Sequence, residues 1–330
     1  LPKLYMHIGY PRTGTTSLQS FMAQFRDDFA AGGILIPPAQ GNRHRLLQTL
    51  GAVKPNAGVY QKLGLTEDTN PQLQLQDMLS AISQQSEGYQ SVFMSEETVA
   101  QKTPEDIEGL HRELSQVFSE TTVIVTFREH KSLLKSEYLQ RIGATFNAAL
   151  FNKFAAGYID RRHFNYCETL GHLCTVFGKD NVAPVFYRSS AQDSSNKSIL
   201  RLVCGNELAD KFDVPNKNAS MDPSILELKR RLNPVMNKLI TEFEGTPNGQ
   251  VHNLTKQFLY NISKAARFQA IAPFSSEIEP EHAEVYAADW QKLCTDYGDM
   301  FRNSGSALPA DIDLPEDPAS KRHWLGRPTS

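Results

Sequence analysis

Residues 3–18 constrain the fold of this chain more than any other stretch. An apolar run, Leu4-Tyr5-Met6-His7-Ile8, breaks into the turn Gly9-Tyr10-Pro11-Arg12-Thr13-Gly14, and the turn opens a helix at Thr15-Thr16-Ser17-Leu18. A strand that feeds a glycine-rich turn and then a helix start is a phosphate grip, because the first N–H groups of a helix point outward and carry partial positive charge. Gly9 and Gly14 stand at the spacing of G-x-x-x-x-G-K-[ST], with Thr16 on the final hydroxyl. The Lys position is Thr15, and the one cation of the turn is Arg12. A nucleoside triphosphatase needs that Lys on its β- and γ-phosphates and the hydroxyl on magnesium. Backbone N–H groups, the hydroxyls of Thr13, Thr15 and Thr16, and an early cation suit a phosphate that is not the leaving end of a triphosphate.

Further along, Ile34-Leu35-Ile36, Ser91–Met94, Thr121–Phe127 and Val182–Phe186 read as short buried strands. Between them, apolar residues recur at helical spacing: Leu18, Phe21, Met22 and Phe25 in a helix ending near Gly32-Gly33, then helices over 73–86, 104–118, 131–141 and 160–177. Strands alternating with helices predict an α/β fold, a central parallel sheet flanked by helices. In such sheets ligands bind outside the carboxyl ends of the strands. Gly9–Thr16, Ser95–Glu97, Arg128 and Tyr187 all fall there. Beyond residue 195 the pattern turns mostly helical. Ile225 to Leu239 mark one amphipathic helix, and 251–268 and 281–297 mark two more. Residues 1–302 are expected to form one domain and 303–330 a tail docked, if at all, through His323-Trp324-Leu325. Residues 39–72 read as loop with one helix near 43–51.

Pro11-Arg12-Thr13-Gly14-Thr15-Thr16 resembles the 5′-phosphosulfate loop of sulfotransferases that use 3′-phosphoadenylyl sulfate (PAPS), whose usual pattern is Pro-Lys-Ser/Thr-Gly-Thr-Thr. Arg128 directly follows a strand, with Ser136 eight and Tyr138 ten residues on. That is similar to the family's Arg-x7-Ser-x-Tyr element, in which Arg and Ser bind the 3′-phosphate. Val185-Phe186-Tyr187 is similar to a third element, a Tyr-Glu pair with the Tyr against the adenine. This chain carries Arg188 in place of the Glu. The resemblance spans about residues 3–190 and implies a P-loop sulfotransferase fold. It also implies PAPS as donor with no metal requirement, adenosine 3′,5′-bisphosphate as product, and a small-molecule or glycan acceptor. The residues it implies for the donor are Arg12, Thr13, Gly14, Thr15, Thr16, Ser17, Arg128, Ser136 and Tyr187.

A transferring sulfuryl group carries less negative charge than a phosphoryl group, so side chains and backbone N–H groups suffice to stabilise it. Arg12 is expected to bridge leaving phosphate and sulfonate, holding two oxygens at once. A base must take the acceptor's proton. Glu96, at the tip of the 91–94 strand beside Glu97, is one candidate. His44 is the other; two flanking arginines are expected to keep it neutral. Side chains alternate along an extended chain, so one of Glu96 and Glu97 is expected to point inward. Two other readings stay open: a P-loop ATPase or kinase with Met94-Ser95-Glu96-Glu97 as a degenerate Walker B, and a non-catalytic nucleotide-binding protein on the same fold.

Net charge is −3 with a pI near 6.3, which gives no footprint for nucleic acid. No apolar run reaches the ~18 residues of a membrane span. Cys167, Cys174, Cys204 and Cys294 form no C-x-x-C pair and read as reduced core residues, which predicts a cytoplasmic protein. Sequons at Asn196, Asn218, Asn253 and Asn261 keep the secretory lumen open, should an anchor ahead of Leu1 have been trimmed.

Overall fold

In a computed structural model, residues 1–39, 43–44, 46–47, 64, 66, 69–159, 164–188, 194–214, 223–242, 254–255, 257–259, 261 and 277–306 are described. In chain order the elements are β1 (Lys3–His7), α1 (Thr15–Gln24), α2 (Arg26–Ala31), β2 (Ile34–Leu35), α3 (Pro71–Gln85), β3 (Ser91–Ser95), α4 (Pro104–Leu114), β4 (Glu120–Phe127), α5 (His130–Ala144), α6 (Phe151–Ile159), α7 (Tyr166–Phe177), β5 (Val182–Phe186), α8 (Ser195–Asp210), α9 (Pro223–Glu242) and α10 (Pro280–Asn303). Most of the expected 43–51 and 251–268 helices, most of the 39–72 loop and the tail with His323-Trp324-Leu325 lie outside the described residues; residues 46–47 are in a 3-10 turn, and 254–255, 257–259 and 261 are helical. The chain groups into two compact units. One holds 1–128, 165–217 and 289–312, the other 129–164, 218–288 and 313–330.

The first unit is the α/β layer that the alternation predicts. Five strands run in the order β2-β3-β1-β4-β5, and every pairing is parallel. β1 is central, between β3 and β4, and the chain leaves it toward β2 and β3 on one side before crossing to β4 and β5. That reversal puts the loop after β1 at a topological switch point. β3 and β5 are buried along their whole length, as parallel strands covered by helices must be. Leu18, Phe21, Met22, Phe29, Ile124, Val185 and Ile199 belong to one core cluster. It ties α1, α2 and α8 to the sheet.

Several boundaries differ from expectation for local reasons. The first helix breaks at Phe25, whose backbone leaves the helical region (φ −103, ψ 28) while its N–H still bonds to Phe21. The apolar stripe continues across the break, which hides it from periodicity. The 104–118 helix stops at Leu114, capped by Ser115 N–H to the His111 carbonyl. α7 starts at Tyr166 rather than near 160, because the Asn165 side chain caps it by accepting from the Glu168 N–H. Gly205 (φ 75, ψ 168) interrupts α8. The two cysteines of α7 are not equivalent: Cys167 is buried and Cys174 only partly so, and all four cysteines are free thiols.

In the second unit α9 packs on α5 through a fully buried lysine. Lys229 Nζ donates to the carbonyls of Ile142 and Thr145, both at 2.8 Å, and to Asn233 Oδ1 at 3.0 Å. These carbonyls belong to the last turn of α5, where helix ends leave acceptors unpaired and the dipole favours a cation. Lys229→Met should therefore leave buried acceptors unsatisfied and cost on the order of 2 kcal/mol in denaturant unfolding. A change inside the error of the extrapolation would mean that water takes over the caps. Phe151, Phe154, Ala155 and Tyr158 form the buried face of α6, a helix absent from the sequence reading.

Candidate active site

The turn after β1 is held from within. Ile8 and Tyr10 N–H continue the β1–β4 ladder onto the carbonyls of Ile124 and Thr126, at 2.9 and 3.2 Å. Thr13 Oγ1 donates to the Tyr10 carbonyl at 2.5 Å and lies 3.3 Å from Thr15 Oγ1. Thr13, Thr15 and Ser17 are buried, whereas Arg12 and Thr16 are exposed. The three threonine hydroxyls thus divide: Thr13 and Thr15 face each other inside the turn, and Thr16 faces outward. Gly9 is required by space, since a Cβ there would stand 2.9 Å from Thr13 Oγ1 and 3.0 Å from His7 Nε2. Gly14 caps α1 in the left-handed region (φ 81). Arg12 also adopts positive φ (64), a conformation that costs a side-chain-bearing residue about 1–2 kcal/mol.

Beneath the turn runs a buried polar chain. His7 Nδ1 meets Ser95 Oγ and His7 Nε2 meets Thr126 Oγ1, each at 3.0 Å. Gln19 of α1 donates to the same Ser95 Oγ at 3.0 Å. The tips of β3, β1 and β4 and the first helix are therefore fastened through one imidazole. Burial pushes the His7 pKa down to about 3, so the ring is neutral, with one nitrogen donating to its hydroxyl and the other accepting from its own.

Both candidate bases stand at the β3 tip. His44 is buried, and its Nδ1 accepts from the Ser95 N–H at 3.2 Å. That bond fills one ring lone pair and sets the proton on Nε2. Burial, more than the neighbouring cation Arg26, pushes its pKa down to about 4. The expected neutrality thus has a different main cause from flanking arginines. Glu96 is fully buried, and its Oε1 pairs with Arg43 Nη2 at 2.5 Å. Arg43 Nη1 also lies 4.0 Å from Glu97 Oε2. Glu96 turns inward and Glu97 is only partly covered, but strand alternation is not the cause: Glu97 opens a 3-10 turn and both carboxylates reach the same Arg43.

On the other side of β1, Arg128 closes β4. Its Nη1 donates to the Arg12 carbonyl at 2.8 Å, and its guanidinium lies 4.8 Å from the centre of the Tyr187 ring. Tyr187 follows β5 and its N–H donates to the Phe127 carbonyl at 2.7 Å. The Arg128 carbonyl in turn accepts from the Tyr166 hydroxyl at 2.8 Å. Arg12, Gly14, Arg128 and Tyr187 thus meet at one place on the sheet's carboxyl edge. Ser136 lies half-buried on α5, in the second unit. In that unit Tyr138 donates its hydroxyl to the Ala149 carbonyl at 2.9 Å, and His130 places Nε2 2.9 Å from the Phe164 carbonyl.

Sequence reasoning passed over Asn196, counting it only as a sequon. It lies in the first turn of α8, buried. Both heavy atoms of its carboxamide end stand 3.5 Å from where a Gly14 Cβ would be, and a Tyr187 ring carbon stands 3.4 Å from the same point. The available signal was Ser194-Ser195-Asn196 at a helix start soon after a strand tip.

Among the described residues no group of three His, Cys, Asp or Glu side chains could hold a metal ion, and no helix is long and apolar enough to cross a membrane. No protein-family model matches the chain. No curated protein matches it either. Among solved structures the chain is similar to a sulfotransferase from Alicyclobacillus acidocaldarius, at 14% identity and a TM-score of 0.43, with 93% of this chain and 97% of that chain covered. A likeness that distant carries no argument about chemistry, which the residues themselves must supply.

Proposed function

We propose that this protein transfers a sulfuryl group from PAPS to a hydroxyl or amine of a small-molecule or glycan acceptor. One observation supports the reading most: the turn after β1 and the arginine after β4 stand on paired neighbouring strands and are joined by Arg128 to the Arg12 carbonyl. Two anion grips so close suit one nucleotide with phosphates at both ends. The α1 N-terminus and Arg12 would take the 5′-phosphosulfate. Arg128 would take the 3′-phosphate, with Tyr187 beside the base. The donor supplies the sulfur centre. The acceptor oxygen or nitrogen bonds to sulfur as the sulfur–oxygen bond to the 5′-phosphate breaks, and that electron pair leaves on the phosphate.

The acceptor's proton goes to a base, and Glu96 fits the role better than His44. In His44 the Nδ1 lone pair is used by the Ser95 N–H, so the ring has no second lone pair to offer. Glu96 brings a carboxylate whose partner Arg43 lies partly at the surface and can move aside for an acceptor.

Incubation with sulfur-labelled PAPS and a panel of glycan, lipid and phenol acceptors tests the reading. Labelled acceptor and released adenosine 3′,5′-bisphosphate are expected. Magnesium-dependent ATP hydrolysis would point to the ATPase reading instead, and tight bisphosphate binding without transfer to a non-catalytic one. Arg128→Ala should weaken bisphosphate binding about tenfold to a hundredfold, as loss of a charged hydrogen bond does. It should barely move the melting temperature, since the side chain is partly exposed. Unchanged affinity in titration calorimetry would remove Arg128 from the site.

A further inference from the structure

We propose that the Asn196 carboxamide reads the adenine edge of the donor nucleotide; the identity of that nucleotide rests on the sulfuryl-transfer reading above. Asn196 is 5% exposed, and its Oδ1 is buried with no hydrogen-bond partner among the described residues. Buried polar side-chain atoms are nearly always paired, and an exception calls for a missing partner. The orphan is not remote from chemistry. The carboxamide lies edge-on to Gly14, the cap of the phosphate-gripping helix, and the Tyr187 ring lies against the same point. An aromatic ring and an unsatisfied amide on one side of a phosphate grip are the parts of a base pocket.

The amide chemistry selects the base. A carboxamide offers an acceptor and a donor side by side, matching the 6-amino group and ring nitrogen of adenine, the pairing that Asn and Gln use to read adenine elsewhere. A 6-oxo purine turns an acceptor toward Oδ1 and loses that bond. Phosphate cannot satisfy Oδ1, because both are acceptors. The first turn of α8 supplies further support for the position: Ser194 caps it by accepting from the Lys197 N–H, and Ser195 and Ser198 are buried beside Asn196, so the amide is held on a packed helix rather than on a loop.

Titration calorimetry of the full chain with the 3′,5′-bisphosphates of adenosine, inosine and unsubstituted purine riboside tests this. The parent protein should prefer adenosine by about tenfold over both analogues, the discrimination typical of one bidentate amide–base pair. In Asn196→Ala the three affinities should fall within about twofold of one another. Equal affinities in the parent protein would overturn the proposal without any variant. So would a variant that binds the bisphosphates and keeps the parent's preference. If the parent protein binds none of the three, the sulfuryl-transfer reading falls along with this one.

Discussion

Acidification from pH 7 to pH 4 should remove on the order of 6 kcal/mol of folding stability, through two buried histidines. His7 and His44 are held neutral by burial, with pKa values pushed to about 3 and about 4. In the unfolded chain both return to about 6.5. Above pH 6.5 neither state binds a proton at these rings, and the two contribute nothing to the pH dependence. Below pH 6.5 the unfolded chain takes up two protons that the folded chain refuses. Stability then falls by about 1.4 kcal/mol per pH unit for each ring, until each folded pKa is reached. A loss of that size rivals the whole stability of an ordinary domain. The carboxylates of Glu227 and Asp210, held below their ordinary pKa chiefly by hydrogen bonds from Arg230 and Arg201, add their own loss only near and below the usual carboxylate range. The window from pH 6.5 to 5 therefore belongs to the histidines. Denaturant unfolding across that window should show a slope of about two protons, and His7→Gln or His44→Gln should halve it whatever either does to stability at pH 7. A halved slope in the parent protein would show that one ring reaches water, and stability that stays flat down to pH 5 that both do.

That pair of histidines also shows what a sequence can and cannot disclose. His7 sits in an apolar run, and its core position is legible from the pattern alone. Its partners Ser95 and Thr126 lie 88 and 119 residues away, and only the parallel order β3-β1-β4 brings three strand tips to one ring. The strands themselves were legible, because buried parallel strands read as unbroken apolar runs with turns behind them. The helices were legible in existence and less so in extent. α6 goes unannounced in the sequence, with Leu150 ahead of it and Gly157 inside it, although Phe151, Phe154, Ala155 and Tyr158 follow helical spacing. Arg12 and Arg128 are proposed for the site on their spacing from glycine turn and strand end, and what the fold adds is the bond that joins them. The inward rotation of Thr13 could not be read from the sequence, since it depends on the turn's own carbonyl at Tyr10. Asn196 could not either: its environment comes from Gly14, far back in the chain.

Replacing Arg12 should separate activity from stability. Arg12→Ala is expected to lower sulfuryl transfer by about 10²–10³, the usual cost of deleting one preorganised charged donor at a reacting centre. Arg12→Lys should retain most of the rate, because a point charge at the same place still neutralises the leaving phosphate, although the two-oxygen grip is lost. The backbone makes a sharper test possible. Arg12 stands at φ 64, where a Cβ is strained and glycine is not. Its carbonyl is held by Arg128 rather than by its own side chain, so the turn keeps that anchor whatever residue stands here. Arg12→Gly relieves the strain but makes the unfolded chain more flexible, and these effects nearly cancel at about 1 kcal/mol each. The melting temperature should therefore hold or rise while transfer is lost as fully as in Arg12→Ala. Strained side chains cluster at functional sites, which is the reason to test this one. If Arg12→Gly transfers sulfuryl groups at the parent rate, the guanidinium is not part of the chemistry, and the grip must be assigned to the backbone N–H groups of the turn alone.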